Sequence, residues 1–159
     1  MCRTPHAKGF TLIELIMVMV VVAVLAVVAS MRMPGDGINV SAQAEQLASD
    51  IRYTQSLAMS RGQRFQINFT ASSYQITNDA GVAQVHPSTG QTAAVGLGST
   101  VLSGYNPPLT GNILAFSSLG VPYTDATTAL AALATLTLTS GGEAITVRVA
   151  PQTGRVQVP

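Results

Sequence analysis

Hydrophobic positions along this chain change period twice, and each change marks a different kind of element. From Phe10 to Ala29 apolar residues are almost unbroken. A helix there extends about 30 Å at 1.5 Å per residue, enough to cross a bilayer. It is expected to continue to Met33, where Pro34-Gly35-Asp36-Gly37 breaks or kinks it. Helical character returns at Ser41. Ala44, Leu47, Ala48, Ile51, Thr54, Gln55 and Ala58 then recur at three- and four-residue spacing, one face of small and aliphatic residues. Glu45, Asp50, Arg52 and Arg61 fall mostly elsewhere on the wheel, and Gly62 supplies a stop. From Arg64 the period is two: Phe65, Ile67 and Phe69 alternate with Arg64, Gln66 and Asn68, and Tyr74 and Ile76 continue after Ala71-Ser72-Ser73.

Asn78-Asp79-Ala80-Gly81 reads as a turn. Residues 86–112 are rich in Gly, Ser, Thr and Pro and predict a long surface loop, with one strand near Ala94–Leu102. Strand patterns resume at Ile113–Phe116 and Leu133–Thr139. Ser140-Gly141-Gly142 turns the chain into Ile145, Val147 and Val149, and Pro151-Gln152-Thr153-Gly154 turns it into Arg155–Val158. A long helix followed by many strands is an α+β subunit: a stalk helix, half membrane-spanning and half amphipathic, packed on a carboxy-terminal antiparallel β-rich domain.

One carboxylate interrupts the first apolar run. A glutamate costs roughly 2.5–3.5 kcal/mol at a bilayer centre, less near an end, so Glu14 calls for a partner or a purpose. Ahead of it stand Arg3, Lys8 and Gly9, with no acid among them. That charge bias holds the amino end in the cytoplasm and leaves everything after Pro34 outside it. The small residue with basic neighbours lies before the apolar run, the reverse of a conventional secretory signal.

Lys8-Gly9-Phe10-Thr11-Leu12-Ile13-Glu14 and the helix behind it resemble the class III signal peptide of type IV pilins and the pseudopilins of type II secretion. The resemblance implies that a prepilin peptidase cuts between Gly9 and Phe10 and methylates the new amine of Phe10. It also makes Glu14 the residue that governs assembly, and other pilin or pseudopilin subunits and the inner membrane the partners. The organisation it implies is a leader over 1–9, a transmembrane and assembly helix over 10–33, an amphipathic stalk helix over 34–62 and a β-rich globular domain over 63–159. The globular domain would be periplasmic, single-pass anchored, and later part of a filament. An α-amine is mostly cationic at neutral pH, so a buried Phe10 amine would need the Glu14 carboxylate of a neighbour.

Gln46-Leu47-Ala48-Ser49-Asp50-Ile51-Arg52-Tyr53-Thr54-Gln55-Ser56-Leu57-Ala58, Phe116-Ser117-Ser118-Leu119-Gly120 and Pro151-Gln152-Thr153-Gly154-Arg155-Val156 are similar to the GspH/FimT group of minor pilins. That group spans several functions. GspH-type subunits belong to the type II secretion pseudopilus. FimT-type subunits belong to type IV pili, and some bind DNA through a Gly-Arg-x-Arg motif. Here that stretch is Gly154-Arg155-Val156-Gln157, so Arg155 and Arg148 are the two cations a weak DNA site would use. Mannose-sensitive-haemagglutinin-type pili are a third setting, and a signal-anchored β domain outside any filament is the reading from a different class.

Charge and cysteine usage narrow the chemistry. Of eight basic residues, Arg3 and Lys8 would leave with the leader, and the remaining six face seven acids, a net charge of minus one. Nucleic acid is therefore not expected as a general partner. Cys2, the sole cysteine, would leave as well, and the domain must fold without a disulfide. His86 is then the only histidine, which removes Cys–His catalysis and His-based zinc sites. No phosphate-binding Gly-Lys-Ser/Thr loop or Gly-x-Ser-x-Gly elbow occurs. Asp36, Glu45, Asp50, Asp79, Asp125 and Glu143 are scattered and read as solvated charges. No enzymatic activity, metal or cofactor is expected.

Overall fold

The computed structural model describes residues 11–30 and 36–159, with side chains described over 11–26 and from residue 39 onward. Two units result, one ending at Pro34 and one beginning at Gly35. The first contains helix α1 (Leu12–Ser30). Every described side chain on it is exposed, Leu12 to 77% and Met17 to 71%, so the helix buries nothing of its own unit. The expected membrane span over 10–33 exceeds what is described. Among the described residues no helix is long and apolar enough to cross a membrane, and the described side chains of α1 end at Ala26.

The second unit opens with helix α2 (Asp36–Arg61). It begins before Ser41, the expected restart, because Asp36 and Gly37 are taken into its first turn. It stops where the sequence predicts: Gly62 adopts φ +64°, the left-handed conformation that ends a helix without a Cβ penalty. Val40, Ala44, Leu47, Ala48, Ile51, Thr54, Leu57 and Ala58 are buried along one face. Gln55 lies at the margin of that face, half-buried.

Two antiparallel sheets receive this face. The first has the order β3-β2-β1-β5-β6, built from β1 (Phe65–Phe69), β2 (Ser73–Asn78), β3 (Val95–Gly96), β5 (Ile113–Phe116) and β6 (Pro122–Tyr123). The second has the order β4-β7-β8-β9, from β4 (Val101–Asn106), β7 (Ala134–Ser140), β8 (Glu143–Val149) and β9 (Val156–Gln157). α2 touches β1 and β5 of the first and β7, β8 and β9 of the second. Alternation selects the inward residues: Phe65, Ile67 and Phe69 on β1, Tyr74 and Ile76 on β2, Leu136 and Leu138 on β7, Val147 and Val149 on β8. At the β7–β8 hairpin Ser140 pairs with Glu143, and Gly141 and Gly142 both take positive φ, as a two-residue loop of that twist requires.

The segment 86–112 is more ordered than the surface loop expected of it. It contains β3 and β4 rather than one strand near Ala94–Leu102, and it buries His86, Val95, Leu97, Thr100, Leu102 and Leu109. A register shift between Leu102 and Gly104 explains why β4 is hard to read. The bulge breaks the period-two pattern while Val101–Asn106 stays paired to β7.

Candidate assembly site

Thr11 and Glu14 begin α1 together. The Thr11 carbonyl accepts the Glu14 N–H at 3.1 Å, and the Thr11 hydroxyl lies 3.4 Å from the same nitrogen. Thr11-Leu12-Ile13-Glu14 thus has the Thr-x-x-Glu form of a capping box, a signal the sequence carries openly. An acid in the first turn also faces the positive end of the helix dipole. Beyond the first turn Glu14 shares one face with Met17, Val18, Val21 and Val22, which line a shallow groove along the helix. That face is apolar except for its carboxylate, and it is open. Gly9 and Phe10, the expected processing pair, lie outside the described residues.

A second constellation sits on α2, where the Gln55 amide joins two turns distant in sequence. Its Nε2 donates to the Gly120 carbonyl at 2.8 Å and to the Thr153 carbonyl at 2.7 Å. The turn before Gly120 is braced from within: Ser117 Oγ accepts the N–H of Leu119 and of Val121. Gly120 (φ +78°) and Gly154 (φ +64°) have no room for a side chain. A Cβ on Gly120 would meet Met59 Sδ at 2.8 Å, and one on Gly154 would meet Gln55 Nε2 at 2.4 Å and the Gly120 carbonyl at 2.9 Å. The three stretches singled out downstream of the first helix are thus one junction in space. Arg52, one helical turn before Gln55, donates to the Val156 carbonyl at 3.1 Å and ties β9 to the same helix.

Arg155 leaves this junction exposed, and Arg148 is exposed on β8. They are not direct partners across the strands: Arg148 stands opposite Gln157, and Ala150 donates to the Arg155 carbonyl at 2.9 Å. The two arginines are diagonal neighbours, a relation that typically spans about 7–8 Å.

Two residues do not behave as expected. Asp50, read as a solvated charge, is 2% exposed, and its Oδ2 accepts the Tyr74 hydroxyl at 2.7 Å. His86 is fully buried beside it, with Nδ1 3.6 Å from the same oxygen. Burial first, and then the Asp50 carboxylate, push the Tyr74 phenol well above its ordinary range, so it serves as a fixed donor. Among the described residues no cluster of metal-ligating side chains occurs.

A model of the prokaryotic N-terminal methylation motif matches residues 4–30, and a model of the type II transport protein GspH matches residues 43–153. The chain belongs to the GspH family. The GspH match begins on α2 and ends at the Thr153 turn, so it contains Gln55, Gly120 and Thr153, while the methylation motif encloses Glu14. The GspH fold here is shared with type IV minor pilin FimU of Pseudomonas aeruginosa. One crystal form of FimU gives a TM-score of 0.53 at 16% identity, covering 75% of this chain and 91% of that one. A second gives 0.51 at 17% identity, covering 76% and 87%. No curated protein matches the chain. As a GspH-family member the chain is a structural subunit of pilin type, α+β with two helices and antiparallel sheets.

Proposed function

We propose that this chain is a minor subunit of an exported filament, a type II secretion pseudopilus or a type IV pilus, assembled in the inner membrane after prepilin peptidase cuts between Gly9 and Phe10. The apolar run from Phe10 to Ala29 stays on the mature protein, anchors it with the globular unit in the periplasm, and packs with the helices of other subunits. The observation that carries this reading is Glu14: a carboxylate on an open helix face otherwise made of Met17, Val18, Val21 and Val22. Packing that face against apolar helices or lipid desolvates the acid, and the new α-amine of a neighbouring Phe10 is the cation that compensates it.

Glu14→Gln separates this role from helix capping, because glutamine serves in a capping box as well as glutamate does. The variant should be inserted and cleaved as the wild type is, and should fail to enter filaments sheared from cells. Normal incorporation would refute the role of the charge. A second reading, a DNA-binding subunit for uptake, is favoured by the exposed diagonal pair Arg148 and Arg155. It predicts that Arg148→Ala and Arg155→Ala each weaken duplex binding and flatten its salt dependence. Binding of the double variant at wild-type strength would remove it. An intact leader with and without the peptidase, and no entry into filaments, would instead mark a signal-anchored β domain.

A further inference from the structure

Leu119 is 83% exposed, on a turn that is closed from within. The Ser117 N–H donates to the Val121 carbonyl at 3.0 Å, and its carbonyl accepts the Gly120 N–H at 2.9 Å. The Ser117 hydroxyl accepts from Leu119 and Val121, and the Gln55 amide ties the Gly120 carbonyl to α2. Met59 lies at the base of the turn, 49% exposed, with its sulfur against Gly120. Phe65 pairs with Asn78 on one side and with Phe116 on the other, so the turns after β2 and β5 leave the same end of the first sheet. Two strand spacings, about 10 Å, separate their bases. Val82, 58% exposed, stands on the turn after β2 and is bonded to Asn78. A lone exposed leucine carries no message. Three apolar side chains at one end, one of them on a preorganised turn, make a surface that a partner covers at little ordering cost.

Charge narrows the kind of partner. Arg52, Arg61 and Arg155 are exposed around these side chains, and among the described residues none of the three is paired with a carboxylate. Arg64 is turned onto the Tyr123 ring, and Asp79 is exposed on the turn that carries Val82. A phosphate surface would satisfy the arginines and leave Leu119 and Met59 in water. A protein recess lined by apolar side chains and rimmed by carboxylates satisfies both. We propose that Leu119, Met59 and Val82 form a docking surface for the globular domain of a neighbouring pilin-type subunit, whose acid-rimmed recess takes the Leu119 side chain. This contact presupposes the filament reading above.

The test places a photo-reactive benzophenone side chain at the exposed Ser118 of the full-length chain in cells and reads adducts in filaments sheared from them. An adduct should form with another filament subunit, and mass spectrometry should map it to an apolar residue flanked by Asp or Glu. Burying one leucine corresponds to about ten- to hundred-fold in affinity, so Leu119→Ala should lower the yield about ten-fold or more, and Leu119→Asp further still. Arg155→Glu should lower it as well. Val101→Asp, at an apolar side chain 43% exposed at the other end of the second sheet, should leave it unchanged. Filaments that contain the processed chain with no adduct, with one to DNA or lipid, or with one that Leu119→Ala leaves intact would overturn the contact alone. So would a fall shared by Val101→Asp, or no response to Arg155→Glu. A wild type that keeps its leader and stays out of filaments would remove the filament reading and the contact with it.

Discussion

Gly154→Ala places the clearest load on the junction that links α2 to the two turns. The new Cβ would stand 2.4 Å from Gln55 Nε2, 2.9 Å from the Gly120 carbonyl and 3.0 Å from Phe116 Cε1. The Gln55 amide, at the end of a flexible side chain, yields most readily, and its movement removes bonds of 2.8 and 2.7 Å. At about 0.5–1.5 kcal/mol net each, those bonds contribute roughly 1–3 kcal/mol. Holding alanine at φ +64° adds about 1–2 kcal/mol. Against this, the stiffer unfolded chain returns about 0.4–1 kcal/mol. The expected net cost is about 1–4.5 kcal/mol. Urea unfolding of the unit from Gly35 onward measures it, through a lower midpoint at unchanged slope. Gln55→Ala in the same background removes the bonds and the contact with Nε2 while leaving those with the Gly120 carbonyl and Phe116, so the double variant should be less destabilised than the sum by about 1–2 kcal/mol. A cost below about 1 kcal/mol, or strict additivity with Gln55→Ala, would refute the junction as described.

Three further outcomes follow from the buried and capped groups. Tyr74→Phe leaves a buried Asp50 oxygen without its 2.7 Å donor and should cost about 1–3 kcal/mol by the same assay. Because the Tyr74 phenol is raised on folding, its contribution is complete below about pH 10 and lost as pH climbs above that value; the wild type should show this alkaline slope and Tyr74→Phe should lack it. Asp125 accepts the Thr127 and Thr128 backbone N–H groups at 2.6 Å, which hold its carboxyl down to about 2. The turn after β6 is therefore intact above the unfolded carboxylate value near 4 and loosens as pH falls toward 2, a trend that exchange at Thr128 reports and Asp125→Asn should abolish.

The apolar stripe of α2 and the alternation in β1, β2, β7 and β8 were legible because each buries one face, and burial imposes its period on sequence. Asp50 was misplaced for an instructive reason. It was read as lying elsewhere on the wheel with the other charges, although Leu47, Asp50 and Thr54 follow the helical period and all three are buried. Its partners Tyr74 and His86 come from a strand and a turn far along the chain, a meeting that no local pattern encodes. Gln55 is similar: the stretches around it, Gly120 and Gly154 were recognisable one at a time, but their convergence on a single amide is a property of the packed fold. β4 was blurred by its bulge. At the amino end the Thr11–Glu14 capping box is present in the letters, but only the backbone geometry drew attention to it.

In the proposed function the apolar helix is retained, and its amino end is freed by cleavage. Mass spectrometry of the membrane-associated chain, from cells with and without prepilin peptidase, tests it most directly. The chain should begin at a methylated Phe10 when the peptidase is present and keep an intact leader when it is absent. An intact leader in both would contradict the filament assignment and, with it, the role given to Glu14.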